Sequence, residues 1–125
     1  MPTIWVKHDP TKELDPILDQ LAEDLPGIAA PLMNVSGSEL HQGGVGEAEI
    51  MVEFLDFSPR DRNVNHIQIT MIAHPFPERQ AQLDASTAKL KSGVMALLAD
   101  FDRNVTVGVS IWLVEMGYET IGKEA

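Results

Sequence analysis

Two copies of one strand-helix-strand pattern, set end to end, constrain the fold of this chain more than any other feature. At an offset of 65 residues, Ile4 falls on Ile69, Val6 on Met71, Pro10 on Pro75, Glu13 on Glu78 and Leu18 on Leu83. In the first half, Pro2-Thr3-Ile4-Trp5-Val6-Lys7 is a short apolar run that reads as a buried strand, broken by His8-Asp9-Pro10. Asp15-Pro16 supplies an N-cap followed by proline at the first helical position. Leu14, Ile17, Leu18, Leu21 and Leu25 then recur at three- and four-residue spacing, a helical face that Pro26-Gly27 should stop. A second helical piece is expected over Ile28 to Met33, weakened by Pro31. Asn34 to Gly46 is rich in Ser and Gly and reads as a loop. Ala48 to Phe57 reads as a second strand, and Ser58 to Asn65 as a charged connection.

The second half repeats the programme. Ile67 to His74 sets Ile67, Ile69 and Met71 against Gln68, Thr70 and Ile72, the alternation of a strand. After Pro75-Phe76-Pro77, a long helix from Glu78 to near Asp102 is expected. It carries Leu83, Leu90, Val94, Leu97, Leu98 and Phe101 on one stripe, with Thr87 filling the step between Leu83 and Leu90. Val105, Val107, Val109, Ile111 and Leu113 alternate with Thr106, Gly108, Ser110 and Trp112 in a final strand. The order β-α-β-β-α-β with right-handed crossovers gives an α+β fold, a four-stranded mixed sheet with both helices on one face. We read one domain, 1–57 as the first unit, 66–116 as the second and 117–125 as a C-terminal tail. Ile72, with Val109 or Trp112, offers apolar surface to the other face, so self-association is expected.

Composition excludes several function classes. A chain of 125 residues fits one domain with a sizeable core. No apolar stretch approaches the ~18 residues of a membrane span. With no cysteine there is neither a disulfide framework nor a thiolate metal site, and with no secretory leader pattern the expected compartment is the cytoplasm. Nineteen acidic against nine basic side chains give a net charge of −10, which repels nucleic acid and anionic lipid. His8, His41, His66 and His74 lack the spacing of a metal site, so no metal is expected. His41 to Gly46 is glycine-rich but does not link a strand to a helix, so it reads as a lid, not a phosphate loop. The serines lack a nucleophile-elbow setting, and Asp9 and Glu13 read as helix-start acids.

Pro2 is the residue with a chemistry of its own. If Met1 is removed, the chain begins with a secondary amine on a rigid strand, and burial would lower its pKa toward neutrality. Such an amine is a general base without a side chain. The other reading is a proline tolerated at a strand start because no ladder donor is lost.

Met1-Pro2 before a strand, the two β-α-β units, Glu78-Arg79-Gln80 opening the second helix and Val109-Ser110-Ile111-Trp112-Leu113-Val114-Glu115-Met116 together resemble the tautomerase superfamily. The nearer resemblance is to its 5-carboxymethyl-2-hydroxymuconate isomerase branch, whose subunits are tandem 4-oxalocrotonate tautomerase-like units. The resemblance implies a homotrimer, Pro2 at the base of a pocket near a subunit boundary, and cofactor-independent proton transfer on a small keto or enol acid. Pro2 nitrogen would take a proton alpha to a carbonyl and return it at another carbon, while donors steady the enolate.

The donors are where this chain departs from the family. The arginine that commonly binds a substrate carboxylate before the second helix aligns with His74. Arg79 matches a position that braces the structure, and a second-strand arginine of the branch has no counterpart, since Asn34 to Glu53 contains no Arg or Lys. Strong binding of a dicarboxylate is therefore not expected.

Candidate replacements are His74 at the pocket mouth, Arg60 and Arg62 reaching a neighbouring pocket, and Tyr118 as a pocket wall. Each also has a plainer reading: a solvent-facing strand end, a solvated turn, and a staple of the trimer. Trp5 is expected in the core or an interface. The alternative function is a non-catalytic trimeric domain that binds a small molecule or serves structure. A weaker one is a ferredoxin-like binding module sharing only the element order.

Overall fold

The computed structural model describes residues 2–34, 45–101 and 104–115. Four strands, β1 (Thr3–His8), β2 (Met51–Asp56), β3 (Ile67–Ala73) and β4 (Val107–Leu113), form one sheet in the order β2-β1-β3-β4. β1 is parallel to β2 and β3 to β4, while β1 and β3 meet antiparallel at the centre. Helices α1 (Asp15–Met33), α2 (Pro77–Ala81) and α3 (Leu83–Leu98), with a 3₁₀ turn at Glu47–Glu49, complete the described elements.

The internal repeat and the central strand pairing are the same fact. Ile4 lies opposite Met71 and Val6 opposite Ile69. Shifting Ile4 to Ile69 and Val6 to Met71 by the 65-residue offset exchanges those two pairs, so the halves are related by a two-fold axis through the β1–β3 seam. Alternation then decides the faces. Ile4, Val6, Ile67, Ile69 and Met71 are buried under the helices, with Leu14, Leu21, Leu25, Leu90 and Val94 supplied from above. On the opposite face lie Trp5, Leu55 and Trp112, 41%, 42% and 59% exposed. Trp5 is thus outside the protomer's core. Val109 pairs with Ile69 on the helix side, which corrects its expected place on the open face, whereas Trp112, opposite Ile72, does lie there.

Several element boundaries differ from the sequence expectation. α1 runs unbroken through Pro26 and Pro31 to Met33. An interior proline costs about 3 kcal/mol. Here the apolar stripe does not stop at Leu25: Ala29, Ala30, Leu32 and Met33 are buried too. Each large apolar side chain so buried contributes roughly 1.5–3 kcal/mol, which offsets the lost backbone bonds. The cap also shifts: Leu14, buried in the core, takes the N-cap position, and Asp15 stands in the first turn without a capping bond. At the far end, Asn34 donates through Nδ2 to Ala30 O and Val45 O, both 2.8 Å, and its Oδ1 accepts from Val45 N at 2.7 Å. That clamp ties together the ends of the Ser/Gly-rich segment, of which residues 35–44, including His41, lie outside the described residues.

β2 begins at Met51, not Ala48, because Glu47–Glu49 wind into the 3₁₀ turn. The second helix is interrupted at Gln82 (φ −105°, ψ 9°) and ends at Leu98. Arg79, Leu83, Ser86, Leu90 and Val94 still form a nearly continuous inward stripe, so periodicity alone does not register the one-residue break. β4 starts at Val107, not Val105.

The two long helices pack closely where Gly93 faces Ile28. A Cβ on Gly93 would lie 2.9 Å from Ile28 Cγ2. Gly93→Leu should therefore lose about 1–3 kcal/mol through overpacking, read as a lower urea midpoint. An unchanged midpoint would show that the helices separate freely.

Candidate active site at the Pro2 end of the sheet

Two parallel pairs joined antiparallel bring the starts of β1 and β2 and the ends of β3 and β4 to one end of the sheet. Pro2 is buried there, and its carbonyl accepts the Met51 N–H at 3.1 Å. Thr3 pairs with Ile72, so extending the register by one residue sets Pro2 opposite Ala73, immediately before His74. Ala73 O in turn accepts the Val114 N–H at 3.0 Å. The Pro2 backbone is thus held between neighbouring strand ends.

His74 is half-buried, its ring stacked on Phe76 at a centroid distance of 5.4 Å and an interplanar angle of 4°. Arg79 fixes this corner. Only 3% exposed, it donates through Nε and Nη2 to Met33 O, both at 3.3 Å, and through Nη1 to His74 O at 3.4 Å. Its guanidinium also lies 4.8 Å from the Phe76 ring centroid, a cation–π contact. Burial pushes the Arg79 pKa down from its ordinary value, but a guanidinium remains charged at any physiological pH. Its bonds join the end of α1 to the end of β3, the bracing role that the resemblance implied.

The register thus sets the Pro2 backbone beside the strand end that leads into His74, and it does not bring Arg60 or Arg62 there. Arg60 and Arg62 are exposed at the opposite end of the strands, about 20 Å away along a six-residue strand. Arg62 Nη1 donates to Pro59 O at 2.8 Å and Asp61 O at 3.0 Å, closing its own turn. Within one protomer neither arginine reaches Pro2. Tyr118, Met1 and the tail 117–125 lie outside the described residues. Phe76, which stacks on His74, has no sequence signal beyond the turn that the Pro-Phe-Pro run marks. Among the described residues no group of histidine and acidic side chains could hold a metal ion, and no helix is long and apolar enough to cross a membrane.

At the far end of the sheet, a cleft of about 470 Å³ is lined by Asp9, Asp56, Phe57, Asp61, Val64 and His66, among others. His8 Nε2 lies 3.4 Å from Asp56 Oδ1 at its margin. The Thr11 hydroxyl and N–H, donating at 2.6 and 2.8 Å, hold the Asp9 pKa below its ordinary value. A depressed carboxylate pKa stabilises the fold above the unfolded value and loses that contribution as pH falls through the folded one. Asp9→Asn should flatten the acid limb of the stability profile below about pH 4. Asp9 is only partly buried, so the effect on chemical denaturation is small and confined to that limb. An unaltered acid limb would contradict it.

No protein-family model matches the chain, and no curated protein matches it significantly. Solved structures do. A macrophage migration inhibitory factor-like protein from Entamoeba histolytica superposes with a TM-score of 0.57, covering 94% of this chain and 95% of that one at 10% identity. A protein designated Ps01740 gives a TM-score of 0.55 over 90% and 93% of the two chains at 16% identity. The fold is the tautomerase fold. These identities establish architecture alone. In this fold, the Pro2 backbone lies where strand ends from both repeat units converge, opposite the residue that precedes His74.

Proposed function

We propose that the chain is a cofactor-independent tautomerase in which the Pro2 amine moves a proton alpha to a carbonyl of a small keto or enol compound. The observation that carries this reading is the buried position of Pro2 beside His74 in a tautomerase fold. With Met1 removed, the Pro2 nitrogen is a secondary amine whose ammonium form is penalised by burial, so a neutral base is populated near pH 7. It takes the proton from carbon and returns it to the enolate at oxygen or at another carbon, or in ketonisation carries the enol proton to carbon, and nothing is gained or lost overall. The His74 ring, held by Phe76, is a donor for the developing enolate oxygen.

The working form in this reading is a homotrimer. Trp5, Leu55 and Trp112 form an apolar component of the open sheet face, and joining those faces removes it from water. Tyr118 would line the pocket, whereas Arg60 and Arg62, out of reach of their own protomer's Pro2, stay outside the site in this reading as residues of a solvated turn. The two-fold relation of the halves supports the tandem-unit branch of the superfamily. A cytoplasmic location completes the reading.

The test is ketonisation of a simple enol such as phenylenolpyruvate by protein of verified intact mass. Turnover by the form lacking Met1 supports the reading. A native protein that keeps Met1 has an amide at Pro2, and favours the non-catalytic trimeric domain. Light scattering giving a monomer would remove the assembly.

A further inference from the structure

The charges gathered around Pro2 bear on which carbonyl compounds the site accepts, an inference that rests on the tautomerase reading of that site. The 3₁₀ turn bearing Glu47 and Glu49 leads directly into Met51, whose N–H binds Pro2 O, and both carboxylates are exposed. Glu49 Oε1 accepts the Gly46 N–H at 3.0 Å, which fixes it at the turn. Glu53 is exposed on β2 opposite Trp5, and Glu115 is exposed one residue beyond Val114, the donor to Ala73 O.

Among the described residues, the arginine or lysine at this end is Arg79, whose guanidinium is 3% exposed and turned onto the carbonyls of Met33 and His74. Glu78 is next to it in the first turn of α2. Even if Glu78 is set against Arg79, four exposed carboxylates remain near the strand ends, on a chain of net charge −10. Lys7, Arg60 and Arg62 belong to the other end of the sheet. Lys7 Nζ lies 5.5 Å from the Phe57 ring centroid there.

A negative field of this kind lowers the local concentration of anions and raises the cost of bringing a carboxylate beside the reacting carbon. The same field disfavours a second negative charge on an enolate, so a substrate that is neutral before deprotonation is handled more easily than one already anionic. We propose that the Pro2 site selects uncharged enolisable carbonyl compounds, such as 1,3-dicarbonyls or esters of 2-oxo acids, over free carboxylates. The proton transfer balances without a co-reactant: a C–H bond breaks to the Pro2 nitrogen, its electron pair passes to the carbonyl oxygen, and the proton is returned to that oxygen as the enol O–H, ketonisation being the reverse.

The experiment compares kcat/KM for phenylenolpyruvate and its methyl ester, each relative to its uncatalysed rate, in wild type and Pro2→Ala at about 10 and 300 mM salt. The ester should be favoured by about tenfold at low salt. Added salt should raise the rate on the acid by screening the repulsion while leaving the ester unchanged. Glu49→Gln combined with Glu53→Gln should narrow the ratio severalfold. A Pro2-dependent rate that favours the acid and falls with salt would overturn the inference while leaving the tautomerase reading intact. Rates on both compounds that ignore Pro2→Ala would overturn both.

Discussion

Arg79→Leu is expected to lower stability by about 2–5 kcal/mol, seen as a large drop in the urea midpoint. The substitution fills much of the volume but removes the donors to Met33 O and His74 O. A hydrogen bond from a charged donor contributes roughly 1.5–3 kcal/mol, and Arg79 makes such bonds to two carbonyls here. Arg79→Lys keeps the charge but not the planar fork, so it should fall between the two. Because Arg79 ties the end of α1 to the residue beside Pro2, hydrogen exchange should quicken first at the α1 C-terminus and the end of β3. A midpoint within about 0.5 kcal/mol of wild type, the range of an ordinary surface change, would contradict the bracing role.

Pro2→Ala should cost about 10²–10⁴ in kcat/KM, the range that a positioned general base contributes. The fold should persist, because the Pro2 carbonyl that binds Met51 N–H is retained in alanine. What changes is the nitrogen: a primary amine of different basicity, no longer held by a ring. His74→Ala should reduce the rate less, since it removes one donor from the enolate and leaves the base in place. Equal turnover in wild type and Pro2→Ala would take Pro2 out of the mechanism.

The sheet was legible in the sequence wherever one face is buried. β3 alternates Ile67, Ile69 and Met71 with Gln68, Thr70 and Ile72, and that alternation gives its buried side and, to within one residue, its span. The offset pairing of Ile4 with Ile69 and Val6 with Met71 contained the antiparallel seam of the sheet, although only the coordinates give the register. Stop signals were less dependable. Pro26-Gly27 and Pro31 would end a solvent-exposed helix, but tertiary burial of Ala29, Leu32 and Met33 carries α1 past them. Of the two alternatives for the open face, Val109 and Trp112, only the coordinates choose Trp112, because a strand with apolar residues on both sides does not state which side meets the helices.

The site was legible in part. Pro2 stood out by its chemistry, and His74 by its place at the end of a strand. The depth of Arg79 has no local sequence signature, because Glu78-Arg79-Gln80 reads as a polar helix start. Its burial follows from where α1 ends, a contact spanning 46 residues. Arg60 and Arg62 looked available in the sequence, yet Arg62 is occupied with the carbonyls of its own turn.

The most direct measurement is titration of the Pro2 nitrogen by ¹⁵N NMR in protein whose intact mass shows that Met1 has been removed. A desolvated basic amine should titrate below the about 7.7–8.0 of an unburied α-amino group, in step with the pH–rate profile of the wild-type protein. A value at or above that range, or a nitrogen that does not titrate at all, would contradict the assignment of Pro2 as the base.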